Sequence, residues 1–161
     1  GPSNKTHMTP DHTLDIQFVK LNPEKDRDIP LPRYMSEQAA GMDICIAIDG
    51  EYTLAAGKIA LLPTGFKMAI TPGFEAQIRP RSGLASRHGI GLINSPGTID
   101  SDYRGEVKLA VINLGGEDYT FRRGDRVAQM VISKVYQARV RQVDTLDDTT
   151  RGKGGFGHTG L

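Results

Sequence analysis

Residues 106–135 read EVKLAVINLGGEDYTFRRGDRVAQMVISKV, and this stretch decides the fold class. It contains three short segments, EVKLAVINL, DYTFRRGD and RVAQMVISKV, with glycine-containing turns between them. Short runs of apolar and β-branched residues bounded by turn signals are typical of β-strands. The stretch therefore predicts three consecutive strands.

Upstream segments repeat this pattern. LDIQFVKL alternates so that Leu14, Ile16 and Phe18 share one face, and MDICIAID places three isoleucines on one face in the same way. KIALLPTGFKMAI reads as two strands around a Pro-Thr-Gly turn, and FEAQIRP adds another strand. Many short strands with regular turn signals predict an all-β sandwich or barrel.

Two segments depart from the strand pattern. SGLASRHG is predicted to be helical, with Ser82 as the cap of a short helix that Gly89 ends. The connection PEKDRDIPLPRYMSEQ is polar and interrupted by prolines, so we expect it to lie on the surface.

The composition divides the chain into one domain and two ends. A length of 161 residues fits a single domain with its own core. Residues 1–7 resemble a cloning remnant, which leaves residues 8–143 as the β domain. Residues 144–161 have little apolar content and many glycines, so we expect a mobile C-terminal arm.

Charge and cysteine content limit the function. Lys plus Arg is 20 and Asp plus Glu is 19, a balance that argues against nucleic-acid binding by bulk electrostatics. No stretch is apolar enough to cross a membrane, and we expect no membrane partner. The single Cys45 predicts a reducing, cytoplasmic location, and we interpret it as a small buried apolar residue.

The segment RGKGGFGHTG, residues 151–160, is the most informative motif. Its glycines would let backbone N–H groups approach an anion closely. Arg151 and Lys153 add positive charge, Thr159 adds a hydroxyl, and Phe156 is suited to stacking on a base. The alternative is a flexible linker, although a plain linker does not need the arginine and the aromatic ring.

Two further motifs place polar groups around a phosphate or a base. RPRSGLASRHG places Arg81 and other arginines around a serine at the start of a helix. This arrangement is suited to binding a phosphate. The alternative is a capped helix whose arginines are solvated. NSPGTIDSDYRGE offers Asp100 and Asp102 in a loop, where aspartates usually form turns. In the same segment Asn94 is suited to base edges, and Tyr103 either packs on a sugar or belongs to the core.

The last two motifs are weaker on their own. FRRGDRVAQM carries Arg126 and Gln129 into a strand, and a hairpin with a charged tip is the competing interpretation. AAGMDI sets Asp43 at the start of a strand, where an isolated aspartate is more often structural than a metal contact. No His/Cys pair has zinc spacing.

Taken together, the five segments resemble, in order and nearly residue for residue, the five motifs of the trimeric dUTPase family. The resemblance runs from about Leu14 to Gly160, with Met42 and His158 as small departures. It implies a distorted β-barrel of jelly-roll type and a homotrimer with active sites at subunit interfaces. One subunit supplies the third motif, a neighbour the second and fourth, and the third subunit its arm. The implied reaction converts dUTP to dUMP and pyrophosphate, which limits uracil in DNA and supplies dUMP for thymidylate synthesis.

The resemblance also implies a role for each matched residue. Asp100 would be the general base that activates water at the α-phosphorus. Asp43 would act through water on Mg²⁺, an ion that usually keeps several waters. The implied substrate contacts are Asn94, Gly97, Thr98, Ile99 and Phe156 for uracil, Tyr103 for deoxyribose, and Arg81, Ser82, Gly83, Gln129, Arg151, Gly157 and Thr159 for phosphates, with Arg126 in support.

Two other functions compete with this one. A dCTP deaminase resembles the fold and parts of the second and third motifs, but it lacks the Phe-containing glycine-rich tail. A regulatory module would bind the nucleotide without hydrolysing it. Asp100 together with Tyr103 favours catalysis, because a pure binding protein needs no base.

Overall fold

The computed structural model describes residues 13–157. Among these residues it contains twelve strands and one short helix. In chain order they are β1 (Gln17–Lys20), β2 (Arg33–Tyr34), β3 (Gly41–Cys45), β4 (Glu51–Leu54), β5 (Ile59–Pro63), β6 (Phe66–Ala69), β7 (Phe74–Pro80), α1 (Ser82–His88), β8 (Ile90–Leu92), β9 (Gly97–Ile99), β10 (Lys108–Asn113), β11 (Tyr119–Arg122) and β12 (Arg126–Lys134). The all-β prediction is confirmed.

The strands form four sheets. The largest has the order β2-β3-β12-β7-β9, a second has the order β5-β10-β8, and β1-β6 and β4-β11 are two-stranded. Although β11 and β12 are separated only by a tight turn, they pair with strands of different sheets. The hairpin interpretation of FRRGDRVAQM is therefore wrong, since this turn is a corner between two sheets.

The inward faces of the sheets enclose one apolar core. Ile44, Ile46 and Ile48 are buried together, as their alternation predicts. Phe121 and Met130 are fully buried, at 0% exposure, and join strands from two different sheets. Burying a side chain of this size contributes about 1.5–3 kcal/mol, so the core holds the sheets together without disulfides.

Helix α1 begins one residue away from the predicted cap. Arg81, with extended backbone at φ −94° and ψ 133°, precedes the helix and makes no capping hydrogen bond through its side chain. Ser82 is already the first helical residue, so its assignment as the cap is wrong. The reason is that β7 continues in extended conformation through Arg81. Gly89 ends the helix in the left-handed conformation, as predicted.

The polar connection before β2 does not lie entirely on the surface. Asp26 and Ile29 are 4% and 3% exposed. The Arg123 guanidinium donates to Asp26 Oδ1 at 2.9 Å and to Asp28 Oδ1 at 2.7 Å. The hydrogen bond from Arg123 lowers the pKa of Asp28, and the two carboxylates raise the pKa of Arg123. The surface prediction is wrong here because a distant arginine supplies the charge partner that a buried carboxylate needs.

The last strand ends at Lys134, well before the predicted start of the arm. From Tyr136 to Lys153 every residue is exposed, including Val140 at 93% and Leu146 at 84%. The domain limits at residues 143 and 144 stay a prediction, and residues 1–7 lie outside the described part. Within residues 13–157 no helix has the length and apolar character of a membrane span.

Candidate active site

Five predicted site residues line one cavity of about 430 Å³. They are Asn94, Gly97, Thr98, Ile99 and Tyr103, and we call this cavity the hairpin pocket. Apolar side chains of neighbouring strands form most of the remaining wall, and the charged residues Glu106 and Lys108 complete it. A cavity with apolar walls and a few fixed polar groups is typical of a small-molecule site.

Tyr103 is fixed at one side of the hairpin pocket by the loop around it. Its hydroxyl donates to the carbonyl of Glu106 at 2.9 Å. A Cβ at position 105 would overlap that hydroxyl, so the position needs Gly105. The sequence interpretation missed Gly105, although a glycine two residues after the predicted site residue Tyr103 was the available signal.

Asp100 adjoins the hairpin pocket at the end of β9. Its carbonyl accepts the N–H of Tyr103 at 3.2 Å, which closes a tight turn. Its carboxylate side is exposed to solvent. The turn therefore begins with Asp100 and ends with Tyr103, and Asp100 is accessible to a water molecule.

A second group of predicted residues forms what we call the arginine cluster: Asp43, Arg81, Arg126 and Gln129. Asp43 Oδ1 lies 3.6 Å from Arg81 Nε, and Asp43 Oδ2 lies 3.4 Å from Arg126 Nη1. Arg81 Nη1 also donates to the carbonyl of Arg126 at 2.9 Å. Asp43 thus orients two partly exposed guanidinium groups, and such groups recognise phosphate oxygens well.

Gln129 reaches the cluster because Gly41, on the neighbouring strand β3, has no side chain that would block it. Its Nε2 donates to the carbonyl of Pro80 at 3.0 Å, directly before Arg81. A Cβ at Gly41 would overlap Gln129 Oε1. Gly41 was missed from the sequence, but a glycine inside a strand is the usual sign of a close approach. Arg33, which pairs with Asp43 across β2 and β3, was also missed.

The start of α1 lies next to the arginine cluster. Ser82 is exposed, and a Cβ at Gly83 would meet nothing within 4 Å. Because the backbone N–H groups of a first helical turn have no partner within the helix, this surface is open to an anion. Ser82 and Gly83 are therefore accessible next to Arg81.

The hairpin pocket and the arginine cluster draw mainly on opposite faces of the five-stranded sheet. Ile78, Gly97 and Ile99 of the pocket lie on the face opposite to Asp43 and Gln129, whereas Thr98 is on the same face as Gln129. Directly paired residues on adjacent strands have side chains on the same face. One row of paired residues runs through Arg33, Asp43, Gln129 and Arg79, and the next runs through Tyr34, Met42, Met130, Ile78 and Gly97. The first row is polar, whereas Met42, Met130 and Ile78 of the second row are buried in the core. Within one chain, the two groups are therefore not brought together.

The described part of the glycine-rich motif lies apart from both groups. Arg151 Nε donates to the carbonyl of Gly154 at 2.5 Å, and Gly152 N–H donates to Thr149 Oγ1 at 3.1 Å. Phe156 is completely exposed, and Gly157 takes a φ of 85°. Thr159 lies outside the described residues. The hydrogen bonds of this segment are local, and its aromatic ring has no cover within the described chain.

The side chains of residues 13–157 do not form a metal cage. In the part of the chain that the structure describes, no three His, Cys, Asp or Glu side chains converge on one point. Both carboxylate oxygens of Asp43 face arginines, so a direct bond to a metal would open an ion pair. Contact through water would leave both pairs intact. This donor set fits Mg²⁺ held mainly by substrate phosphates.

Comparison with known proteins identifies the family. A family model described as dUTPase matches residues 27–160. A deoxyuridine 5′-triphosphate nucleotidohydrolase from Rhizobium etli is 58% identical over 156 residues, which cover 96% of this chain and 100% of the relative. A protein of the same name from Caldanaerobacter subterraneus is 54% identical over 138 residues, which cover 86% of this chain and 93% of the relative.

Solved structures share the fold. The dUTPase of Staphylococcus bacteriophage 80alpha with dUpNHpp superposes with a TM-score of 0.81 at 22% identity, over 92% of this chain and 100% of that chain. A mutant dUTPase of phage phi11, described with a structural Mg(II) ion, gives a TM-score of 0.72 at 20% identity, over 84% and 100% of the two chains. The predicted jelly-roll type of fold is confirmed. With the family model and the relatives agreeing over most of its length, the chain belongs to the dUTPase family.

Proposed function

We propose that this protein hydrolyses dUTP to dUMP and pyrophosphate as a homotrimer whose active sites are shared between chains. The observation that carries the proposal is the separation of the site residues within one chain. A pocket suited to a nucleoside and an arginine cluster suited to phosphates lie mainly on opposite faces of one sheet. The pocket of one chain and the arginine cluster of a second chain could bind the same nucleotide.

The hairpin pocket would select uracil and deoxyribose. Asn94 and the backbone of residues 97–99 would pair with the polar edge of uracil, and the tight hairpin would exclude a 5-methyl group. Cytosine presents a donor where uracil presents an acceptor, which leaves a buried polar mismatch. Tyr103 would pack against the sugar, and its bond to the Glu106 carbonyl supports a position that leaves no room for a 2′-hydroxyl.

The arginine cluster would hold the phosphates. Arg81, Ser82, Gly83 and Gln129 would contact them directly, while Arg126 would support Arg81 through the shared Asp43 carboxylate. Mg²⁺, with Asp43 in contact through water, would neutralise phosphate charge. Asp100 would accept a proton from the water that attacks the α-phosphorus, and the support for this is that Asp100 is exposed and begins the turn that carries Tyr103.

The arm would complete the site from a third chain. Phe156 would cover uracil, while Arg151, Gly157 and Thr159 would close on the β- and γ-phosphates. The support for this is that Phe156 is uncovered and the segment from Tyr136 to Lys153 is exposed on its own chain. Closure would exclude bulk water from the reacting phosphate.

An apolar surface supports association between copies. On the outer face of the β5-β10-β8 sheet, Ile59, Leu61 and Ile93 are 54%, 61% and 53% exposed. Exposed apolar patches commonly mark protein interfaces. Leu61 also lines the hairpin pocket, so a second copy that covers this face would reach the mouth of the pocket. We therefore assign this face to the contact with the chain that supplies the arginine cluster.

The cellular part of the proposal is that the reaction limits uracil in DNA and supplies dUMP in the cytoplasm. The single thiol, Cys45, is 8% exposed, and burial raises its pKa. A buried, unreactive thiol suits a reducing compartment, although it does not require one. A formal net charge of +1 gives no reason to add a nucleic-acid partner.

The direct test of the reaction is a product assay with the metal controlled. We expect one pyrophosphate and one dUMP per dUTP, loss of turnover in excess EDTA, and recovery when Mg²⁺ is restored. Release of ammonia from dCTP would instead identify a deaminase. Tight binding of dUTP without any product would identify a regulatory binding protein.

Substrate selectivity tests the assignment of Tyr103. We expect Tyr103→Ala to lower the ratio of kcat/KM for dUTP to that for UTP by about 10- to 100-fold, because the steric barrier to one small group is lost. Tyr103→Phe is the matched control, since it keeps the ring and removes only the bond to Glu106. Unchanged selectivity in Tyr103→Ala, measured with both substrates, would contradict this role.

A further inference from the structure

A buried asparagine outside the predicted site organises the loop behind α1. Asn113, the last residue of β10, is 0% exposed. Its Nδ2 donates to the carbonyls of Leu54 at 3.0 Å and Glu117 at 2.8 Å, and its Oδ1 accepts the N–H of Gly115 at 3.0 Å. A buried side chain with three hydrogen bonds holds its neighbours in one arrangement.

This loop contacts the C-terminal end of α1 through its backbone. A Cβ at Gly89 would lie 2.5 Å from Gly115 N and 2.8 Å from Gly115 Cα, and a Cβ at Gly115 would overlap the carbonyl oxygen of His88. Leu114 N–H also donates to the carbonyl of Gly89 at 2.9 Å. Neither glycine can carry a side chain unless the helix or the loop moves.

Helix α1 has few other constraints on its position. None of its seven residues is buried; Leu84 packs against the core, and the His88 ring lies on Tyr119 with 4.9 Å between the ring centroids. At its N-terminal end Arg81 joins the arginine cluster, and at its C-terminal end Gly89 meets Gly115. At a rise of about 1.5 Å per residue, α1 is only about 10 Å long. A helix of this length moves as one body, so a displacement of its C-terminal end also moves its N-terminal end.

We propose that Asn113 and Gly115 are positioning residues, which fix α1 from behind so that Arg81 and the first turn of α1 meet the phosphates. This inference rests on the proposed function, because it assigns a consequence to the phosphate contacts of residues 81–83. Misplacement of reacting groups by about 1 Å is enough to lower a rate about 100-fold. No residue that lines the hairpin pocket belongs to α1.

The two neighbouring glycines of the loop provide a matched test. Gly115→Ala introduces the overlap with His88, whereas a Cβ at Gly116 would meet nothing within 4 Å, and neither glycine has a positive φ. We expect Gly115→Ala to lower kcat/KM for dUTP by about 10- to 100-fold. Inhibition by deoxyuridine, which has no phosphate, should change by less than about twofold, since a ligand of the pocket alone does not sense α1. Gly116→Ala should match the wild type in both measurements.

The proposal fails if Gly115→Ala lowers the melting temperature and leaves kcat/KM for dUTP unchanged, because the contact is then only structural. It also fails if deoxyuridine inhibition weakens as much as dUTP turnover. If Gly115→Ala does not fold, the same two measurements on Asn113→Ser decide the question, since that variant removes both donors to Leu54 and Glu117 and adds no overlap. Absence of pyrophosphate release by the wild type would instead contradict the proposed function itself.

Discussion

Asp100→Asn should lower kcat for dUTP by about 10²- to 10⁴-fold and leave the affinity for a non-hydrolysable dUTP analogue nearly unchanged. The amide keeps the shape of the carboxylate but cannot accept the proton of the attacking water. The backbone bond from Tyr103 N–H to the Asp100 carbonyl does not involve the side chain, so the pocket should keep its geometry. Single-turnover kinetics and a binding titration measure the two quantities separately.

Asp102→Asn is the control for this variant. Asp102 is exposed in the same turn, and its replacement by asparagine removes the same charge two residues away from Asp100. We expect near-normal turnover in Asp102→Asn. Near-normal turnover in Asp100→Asn, or an equal loss in both variants, would mean that Asp100 is not the base.

Deletion of the residues after Asp148 should leave the β domain folded and reduce kcat/KM for dUTP by about 10²- to 10³-fold, the effect of losing one preorganised group that stabilises developing charge. The residues from Tyr136 to Lys153 are exposed, so their removal takes little from the core. The melting temperature should therefore change by only a few degrees, as for other exposed segments.

The physical reason for the arm's effect is an ordering step that the nucleotide drives. Fixing one backbone residue costs about 1–2 kcal/mol, and glycine costs more than most residues. Bonds from Arg151 to phosphate and contact of Phe156 with the base would offset that cost. Hydrogen exchange at Gly154 to Gly157 should slow with a dUTP analogue. Protection in the ligand-free protein, or full activity without the arm, would contradict this account.

Alternation in the sequence was sufficient to predict the strands but not their partners. The three isoleucines of MDICIAID are buried together because a strand with one inward face repeats every second residue. Nothing local indicates that β11 and β12 belong to different sheets, because pairing depends on contacts between residues far apart in the chain. The burial of Asp26 was equally hidden, since its partner Arg123 lies 97 residues away.

For the site, too, the sequence predicted residues within motifs but not the contacts that the fold makes between them. Motif residues gave the hairpin pocket and the arginine cluster as lists of side chains. They did not give Gly41 and Gly105, which leave space for Gln129 and Tyr103, because a glycine signals a close approach without indicating which side chain approaches it. Asn113 was missed for a related reason: its role depends on three backbone groups brought to it by the fold.

The central claim is that each active site draws on different chains, and mixing two inactive variants tests it most directly. Asp100→Asn subunits retain the arm, and arm-deleted subunits retain Asp100. The two variants are mixed in equal amounts, unfolded and refolded together. A site is then active when the chain that supplies Asp100 is an arm-deleted subunit and the chain that supplies the arm is an Asp100→Asn subunit. Each condition holds for about half of the sites, so random trimers should regain about a quarter of wild-type activity. Light scattering should give a mass near three times the 17.5 kDa of one chain. No activity in verified mixed trimers, or a particle with the mass of one chain, would contradict the shared-site account.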